Sequence, residues 1–360
     1  MKKFFAIFLT VAMLATLFAG CGAKAPAAAP TTAAPAADAG AAAPAPEAPA
    51  ASEKKSYTFR YAELNPDGHI MDECGDKFAE LVAQKSEGRI KIEVFPAGQL
   101  GDEKTMYQTL QMGGGAIDIC RGNTNSLADF GAKKLNLFGL PFVFRDRTHL
   151  WNVLNSEIGD EFLGEMQEIG SGMVGLFYLD EGSRHVFTTK DITINSVDDL
   201  KGLKLRVPTT EIMTDTMQAL GVQPTPISFS ELYSALQSGT VDGAEQPFSG
   251  YYSNNFFEVA PNLTLTGHTY SPGIVLMAES AWNQLDAEDQ ALIMEAAKET
   301  EEWNRSTIEE LDADLKTKIV EAGGNIIECN DKDAYVSKIA SVMEKYTVGV
   351  EDYYAAILAK

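Results

Sequence analysis

Short segments of alternating or continuous apolar residues recur from residue 57 onward and are separated by stretches with helical spacing. Ile90-Lys91-Ile92-Glu93-Val94 and Leu203-Lys204-Leu205-Arg206-Val207 alternate apolar and polar side chains, which is typical of strands with two different faces. The first group of predicted elements is strand Tyr57–Glu63, helix His69–Ser86, strand Arg89–Phe95, helix Glu103–Met112 and strand Ile117–Arg121. The second group is strand Leu203–Pro208, helix Glu211–Leu220, strand Val222–Ile227, helix Phe229–Gln237 and strand Val241–Gln246.

The two groups share a weak sequence echo. Tyr107–Gln111 followed by Ile117-Asp118 resembles Tyr233–Gln237 followed by Val241-Asp242, and in both cases glycine follows the helix, where a left-handed cap is favoured. Two βαβαβ units predict an α/β protein with two open, mostly parallel sheets covered by helices. Ligands of such sheets bind beyond the carboxyl ends of the strands, so two facing lobes would place them in a cleft.

A third pattern predicts one long helix from Asp286 to about Ala322. Apolar residues recur at close to helical spacing, Asp286 is a plausible N-cap, and Gly323-Gly324 is a stop signal. About 36 residues at about 1.5 Å each would span roughly 54 Å, which exceeds one lobe. We therefore expect the helix to cross behind both lobes. The alternative is a coiled-coil dimer stripe, although the apolar spacing does not keep a strict heptad.

The amino terminus has the features of a targeting segment. Lys2 and Lys3 precede the apolar run Phe4–Ala19, and Leu17–Cys21 resembles the lipobox of bacterial lipoproteins, in which the cysteine is lipidated after cleavage. An ordinary cleaved signal with an incidental cysteine is the alternative. Residues 22–56 are rich in Ala, Pro and Thr and are predicted to form a disordered tether.

Charge and cysteine content restrict the function classes further. The formal charge of −22 becomes −24 when Lys2 and Lys3 are removed with the leader, which argues against binding to nucleic acid or to anionic lipid. An anionic ligand would therefore need a dedicated positive site. Cys74, Cys120 and Cys329 remain besides Cys21, and three buried thiols are favoured over one disulfide. The four histidines lie far apart, so no metal site or other cofactor is expected.

Arg206 ends a predicted strand in this acidic chain, and Phe229 and Gln246 follow at the ends of later elements. A guanidinium group matches a carboxylate in bidentate geometry, and hydrogen bonds to charged groups contribute about 1.5–3 kcal/mol each. The residues by themselves leave two interpretations open for Arg206, a carboxylate clamp or a surface arginine beside Lys204.

Six motifs in order carry a resemblance to a known family. They are GRIKIEVFPAGQLGDE (88–103), GAIDI (115–119), LPFVF (140–144), LKGLKLRVP (200–208), FSELYSALQSGTVDGAEQP (229–247) and FFEVAPNLTLTGH (256–268). The chain from residue 57 to 360 resembles the solute-binding proteins of tripartite ATP-independent periplasmic (TRAP) transporters. The resemblance implies a two-lobed periplasmic-binding-protein-like fold, a long helix bridging both lobes, and closure around an organic acid that a membrane permease then imports. The expected lobes are 57–181 plus about 272–311, and 182–271 plus about 312–360.

The resemblance also implies site residues. Arg206 matches the arginine that pairs with the ligand carboxylate, and Arg184 matches a second ligand-facing arginine, for which a salt bridge with Asp180 or Glu181 is the alternative. Gln246 stands where the family usually has asparagine. Phe229 matches an aromatic that packs on the solute, with core packing as its alternative.

The first lobe supplies further candidates at the ends of its strands. Glu63, Asn65 and His69 lie where the first strand turns into a helix, and Arg121, Asn123 and Asn125 lie at and just beyond the end of the third strand. These residues could bind ligand hydroxyls or simply form solvated turns. Arginines facing amide and acidic groups favour a hydroxylated carboxylate, and NPDGH (65–69), RGN (121–123) and AEQP (244–247) resemble the uronate-binding branch of the family.

The predicted function is capture of a sugar acid such as a hexuronate for a TRAP permease, by a monomeric, non-enzymatic protein anchored through Cys21 outside the cytoplasm. One alternative is a lipoprotein that reports ligand to a membrane sensor kinase. The other is a surface glycosidase, which needs two carboxylates flanking the bond. With 51 acidic residues, such a pair carries little information.

Overall fold

The computed structural model describes residues 54–360, so the predicted leader (1–21) and most of the predicted tether (22–56) lie outside the described residues. The strands of the described part are β1 (Tyr57–Ala62), β2 (Ile90–Phe95), β3 (Ile119–Asn123), β4 (Met173–Leu179), β5 (Ser183–Thr188), β6 (Lys204–Val207), β7 (Gln223–Pro226), β8 (Gly243–Gln246), β9 (Asn262–Tyr270), β10 (Gly273–Ala278) and β11 (Asn325–Ile327). Its α-helices are α1 (Ile70–Lys85), α2 (Glu103–Gln111), α3 (Arg147–Leu154), α4 (Glu157–Leu163), α5 (Glu165–Glu168), α6 (Glu211–Ala219), α7 (Leu232–Gln237), α8 (Phe248–Ser253), α9 (Glu279–Trp282), α10 (Ala287–Glu321), α11 (Lys332–Lys338), α12 (Ala340–Tyr346) and α13 (Glu351–Ala359).

Two mixed sheets organise these elements, and we call the parts built on them the first and second lobe. The first sheet has the order β2-β1-β3-β10-β4, and the second has the order β11-β9-β5-β8-β6-β7. Among the described strands, β10 alone runs antiparallel to its neighbours in the first sheet, and β5 alone does so in the second. The predicted α/β fold with mostly parallel sheets is confirmed.

The chain crosses between the sheets through two short segments. Asp180–Gly182 joins β4 to β5, and Ser271-Pro272 joins β9 to β10. In each sheet the reversed strand is therefore the one that the chain enters directly from the other lobe. These crossings agree with the predicted lobe boundaries, which themselves stay a prediction.

The predicted sequence echo has a structural counterpart. Asp118 accepts a hydrogen bond from the backbone N–H of Arg60 (2.9 Å), and Asp242 accepts one from that of Lys204 (2.8 Å). Each aspartate precedes a strand and bonds to the strand at the start of its own unit. One difference concerns residues 229–231, which form a 3-10 turn before α7 rather than the first turn of the predicted helix.

The long helix α10 contains 35 residues and spans about 52 Å at 1.5 Å per residue. Asp286 caps it by accepting a hydrogen bond from the Asp289 N–H (2.9 Å), as predicted. Its first half packs on α1 and β4 of the first lobe, and its second half packs on α8 and β11 of the second. Ile293, Ile308 and Ile319 are buried within the chain, so the apolar stripe serves the bridging helix and not a coiled coil.

The carboxyl-terminal helices form another link between the lobes. Helix α12 packs on α6, whereas α13 packs on α4 of the first lobe. The His149 imidazole contacts the Ile357 carbonyl (2.8 Å) and Lys360 pairs with Glu157 (2.8 Å). Residues 351–360 therefore lie against the first lobe, although the sequence prediction grouped them with the second.

Two further observations concern thiols and membranes. Within the described residues Cys74, Cys120 and Cys329 are free thiols. Cys74 and Cys120 are buried as predicted, whereas Cys329 is only half-buried, which corrects the prediction of three buried thiols. Of the helices in residues 54–360, none has the length and continuous apolar character that a membrane-spanning helix requires.

Candidate functional site

A cavity lies between the two sheets and contains about 600 Å³ of space free of protein atoms, part of it continuous with solvent. Nine of the ten residues named as candidates for ligand binding line it: Asn65, His69, Arg121, Asn123, Asn125, Arg184, Arg206, Phe229 and Gln246.

Strand direction explains why these residues converge. Asn65, Asn123, Arg206 and Gln246 lie at or just beyond the carboxyl ends of parallel strands, which meet at one edge of each sheet. Arg184 lies at the beginning of its strand, but that strand is the reversed β5, so its beginning reaches the same edge.

Among the arginines of the cavity wall, Arg206 has the fewest partners that could neutralise its charge. It is 3 % exposed, its Nε donates to the Ile227 carbonyl (2.8 Å), and its Nη1 has no hydrogen-bond partner among residues 54–360. The Phe229 ring lies 5.9 Å from the guanidinium carbon. Burial lowers the pKa of Arg206 to about 10, with the Glu245 carboxylate opposing and Arg184 adding to that decrease. The group still carries its charge at neutral pH, and its burial contradicts the interpretation as a surface arginine.

Arg184 is held by a carboxylate that the sequence analysis missed. It forms a salt bridge with Glu245, donating from Nε to one carboxylate oxygen and from Nη2 to the other (2.9 Å). Burial by itself raises the pKa of Glu245, but Arg184 and His268 overcome that effect and lower it to about 2. The predicted alternative partners, Asp180 and Glu181, are instead bonded to Arg147 and Arg121.

The charge of Arg121 is neutralised by two carboxylates, and Glu63 is one of them. Arg121 donates from Nε to Glu63 (2.8 Å) and from Nη1 to Glu181 (3.0 Å). Glu63 is fully buried behind Arg121 and also accepts from the backbone N–H (2.7 Å) and side chain (2.9 Å) of Asn65. The expectation that Glu63 itself faces ligand is therefore corrected, because the carboxylate positions Arg121 and Asn65 instead of lining the cavity.

His69 caps α1 and presents one ring nitrogen toward the cavity. Its Nδ1 accepts a hydrogen bond from the Met71 N–H (3.0 Å), which assigns the proton of the neutral ring to Nε2. Burial lowers its pKa to about 3, so the ring is neutral at physiological pH. His69 can thus donate to a ligand oxygen without bringing charge.

Amide side chains complete the wall, and one of them depends on a neighbouring glycine. The amide of Asn123 is already bonded to Ser271, to which its Nδ2 donates (2.9 Å). The Oε1 atom of Gln246 lies 3.0 Å from the point where a Cβ on Gly250 would stand. The longer amide, found where asparagine was expected, therefore fits because residue 250 has no side chain.

Glu103 and Glu181 also line the cavity, although neither was predicted from the sequence to bind ligand. Glu103 at the start of α2 accepts from the Asn123 N–H (2.7 Å) and the Ser126 hydroxyl (2.7 Å), while burial raises the pKa of Glu181. No sequence signal separates these two from the other acidic residues of the chain. Three guanidinium groups thus face the cavity, two of them paired with carboxylates, which leaves Arg206 as the focus of positive charge.

Comparisons with known proteins identify similar chains. The model of the family described as bacterial extracellular solute-binding protein, family 7, matches residues 61–348. A solute-binding protein of Verminephrobacter eiseniae is 33% identical over 271 residues, covering 75% of this chain and 79% of the relative. A TRAP periplasmic solute-binding protein of Bradyrhizobium sp., solved with D-galacturonate, has a TM-score of 0.80 and 34% identity, covering 84% of this chain and 100% of that one. One from Pseudomonas putida F1, solved with D-glucuronate, has a TM-score of 0.81 and 32% identity, covering 84% and 97%.

Proposed function

The chain belongs to the bacterial extracellular solute-binding proteins of family 7, and from that membership we propose that it captures a hexuronate for delivery to a TRAP permease. Family members bind solutes and are not enzymes, and they act outside the cytoplasm. The comparisons give no support to a glycosidase or to a sensor-kinase lipoprotein.

The observation that carries the proposal is the uncompensated charge of Arg206. Burying a guanidinium group costs free energy unless it is paired, and Nη1 has no partner among the described residues. A ligand carboxylate at this point would supply the missing charge and acceptors. The Phe229 ring beside the guanidinium group offers an apolar surface for the carbon skeleton of the ligand.

The opposite wall favours hydroxyl groups over a second carboxylate. Glu103 and Glu181 present acceptor oxygens there, together with the amide of Asn65 and the hydroxyl of Ser126. A second carboxylate would be repelled by these acids, whereas sugar hydroxyls can donate to them. The D-galacturonate and D-glucuronate bound by the two solved relatives have this combination of one carboxylate and several hydroxyls.

The position of the protein in the cell is a second part of the proposal. We propose that Leu17–Cys21 is a lipobox and that lipid on Cys21 anchors the chain to the membrane surface through the tether. In cells labelled with a fatty acid analogue, the wild-type chain should carry label and a Cys21→Ser variant should not. Equal labelling of both would contradict lipidation at Cys21.

Calorimetric titration of the full chain with D-glucuronate and D-galacturonate tests the proposed ligand. We expect saturable binding of at least one acid without turnover. Arg206→Ala should weaken that binding about 30-fold or more, because a hydrogen-bonded charge pair contributes at least about 2 kcal/mol. Arg60→Ala removes an exposed arginine of the first lobe and is the matched control.

Two outcomes would contradict the proposal. If both uronates fail to bind while sialic acid, a hydroxy acid or a dicarboxylate binds, the hexuronate assignment is wrong. If a uronate binds equally well to wild-type protein and Arg206→Ala, Arg206 does not contact the carboxylate.

A further inference from the structure

A second groove lies behind the crossing segments, on the other face of the strand that carries Arg184. Side chains alternate along a strand, so Arg184 faces the cavity between the two sheets while Ser183 and His185 line the groove. The groove contains about 1660 Å³ of space free of protein atoms and opens to solvent. We propose that it holds a binding site for a small oxyanion, of which inorganic phosphate is the simplest example.

Two donor atoms and the edge of an imidazole ring converge above the bare backbone of Gly267. A Cβ atom at this residue would lie 3.3 Å from the Ser183 Oγ, 3.6 Å from the Lys332 Nζ and 3.8 Å from the His185 Cε1. Gly267 has a φ of +53°, in the left-handed region that favours glycine. A hydroxyl, an ammonium and an imidazole therefore surround one point that no side chain occupies.

His185 presents the Cε1 edge of its ring toward this point. The side chain is 7 % exposed, and its Nδ1 accepts a hydrogen bond from the Gly267 N–H (3.0 Å), so the neutral ring carries its proton on Nε2. Burial lowers its pKa to about 3, which keeps the ring neutral at physiological pH. Its ring packs on Phe248 with the centroids 4.7 Å apart.

The surrounding charges leave the groove lysines available for an anion. Lys332 and Lys316 have no carboxylate within salt-bridge distance in the part of the chain that the structure describes. Lys316 lies 5.1 Å from the centroid of the same Phe248 ring. The groove also contains Glu309, Glu328 and Asp312, and Asp312 is paired with Arg147 (2.5 Å). Ser183 and Lys332 thus offer a hydroxyl and an ammonium donor to one small acceptor, beside the neutral ring of His185.

Titration of the full chain with inorganic phosphate, followed through the backbone amide signal of Gly267 in a ¹H–¹⁵N correlation spectrum, tests the site. We expect a saturable shift of that signal. Lys332→Ala should increase the Kd for phosphate about tenfold or more, because the loss of one charge-assisted hydrogen bond changes Kd by at least about that factor. Lys201→Ala, an exposed lysine of the second lobe, changes the net charge equally and should leave the phosphate affinity unchanged.

The Arg206→Ala variant distinguishes phosphate binding in the groove from phosphate binding in the cavity between the two sheets. Phosphate binding that persists in Arg206→Ala and weakens in Lys332→Ala supports the groove site, whether or not a uronate binds the protein. Loss of phosphate binding in Arg206→Ala with no effect of Lys332→Ala would place the anion in the cavity and overturn the proposal. An unsaturable response of Gly267, or equal effects of Lys332→Ala and Lys201→Ala, would also overturn it.

Discussion

Arg121, Arg184 and Arg206 differ in what surrounds their charge, although all three reach the same cavity. Arg121 has Glu63 and Glu181, and Arg184 has Glu245, so these two arginines form rigid, paired parts of the wall. Arg206 has a backbone carbonyl and an aromatic ring, which do not neutralise it. The same residue type is therefore neutralised by carboxylates at two positions and left without one at the third, where we propose that it binds the ligand.

The protonation states of the cavity predict a weak pH dependence of binding. The pKa of His69 is about 3 and that of Arg206 is about 10, so neither group changes its protonation between pH 6 and 8. We expect the Kd of the uronate to change less than about threefold across this range, as measured by calorimetry at several pH values. A larger change that disappears in Glu181→Gln would assign titration to that buried carboxyl, and one that persists would contradict the neutral state of His69.

At the scale of the element, helix α10 has an ionisable group where it packs on β4. Glu301 accepts a hydrogen bond from the Tyr178 N–H (3.3 Å) and lies near Asp160, Glu302 and Arg305. Burial, more than the neighbouring carboxylates, raises its pKa from 4.5 to about 7, while the Tyr178 N–H and Arg305 oppose the increase. The Glu301 carboxyl therefore keeps its proton to a higher pH in the folded protein than in the unfolded chain.

This group predicts a pH-dependent stability. The folded protein binds the Glu301 proton more tightly than the unfolded chain does, so its contribution is greatest below pH 4.5 and decreases as the pH rises to about 7. A shift of this size corresponds to about 3 kcal/mol at most. In urea unfolding at pH 5, 6 and 8, Glu301→Gln should lose less stability than wild type as the pH rises. Parallel curves for the two proteins would contradict the raised pKa.

At the scale of the whole molecule, helix α10 packs on both lobes and also forms hydrogen bonds to the first crossing segment, Asp180–Gly182. The fully buried Asn304 accepts a hydrogen bond from the Asp180 N–H (2.8 Å) and donates to the Asp180 carbonyl (3.3 Å). Arg147 joins the Asp180 carboxylate (2.7 Å) to Asp312 farther along the helix. The segment about which the lobes would move is therefore attached to the helix that spans them.

Replacing Asn304 tests this attachment. Asn304→Ala would leave two buried backbone groups of Asp180 without partners, and we expect the free energy of unfolding to fall by about 1–3 kcal/mol. Urea unfolding measures it, with Glu310→Ala on the exposed face of the same helix as the control. Equal stabilities of the two variants would show that the Asn304 bonds contribute nothing measurable.

The elements and most of the cavity could be predicted because their signals are local. The alternation in Ile90–Val94, the cap at Asp286 and the glycines after α2 and α7 depend on neighbours only a few residues away. The position of Arg206 at the end of a strand was likewise visible. The family motifs indicated four residues that line the cavity, and the strand ends of the first lobe indicated five more.

Tertiary structure decided which charges are paired, because pairing depends on residues that packing brings together from distant parts of the chain. Arg184 meets Glu245, 61 positions later, and Arg121 meets Glu63, 58 positions earlier. No periodicity selects these partners among 51 acidic residues. The sequence alone thus determined the elements and the kind of ligand group to expect. The fold determined that Glu63 lies behind Arg121 instead of lining the cavity, that Glu103 and Glu181 line it, and that Arg206 keeps an uncompensated charge.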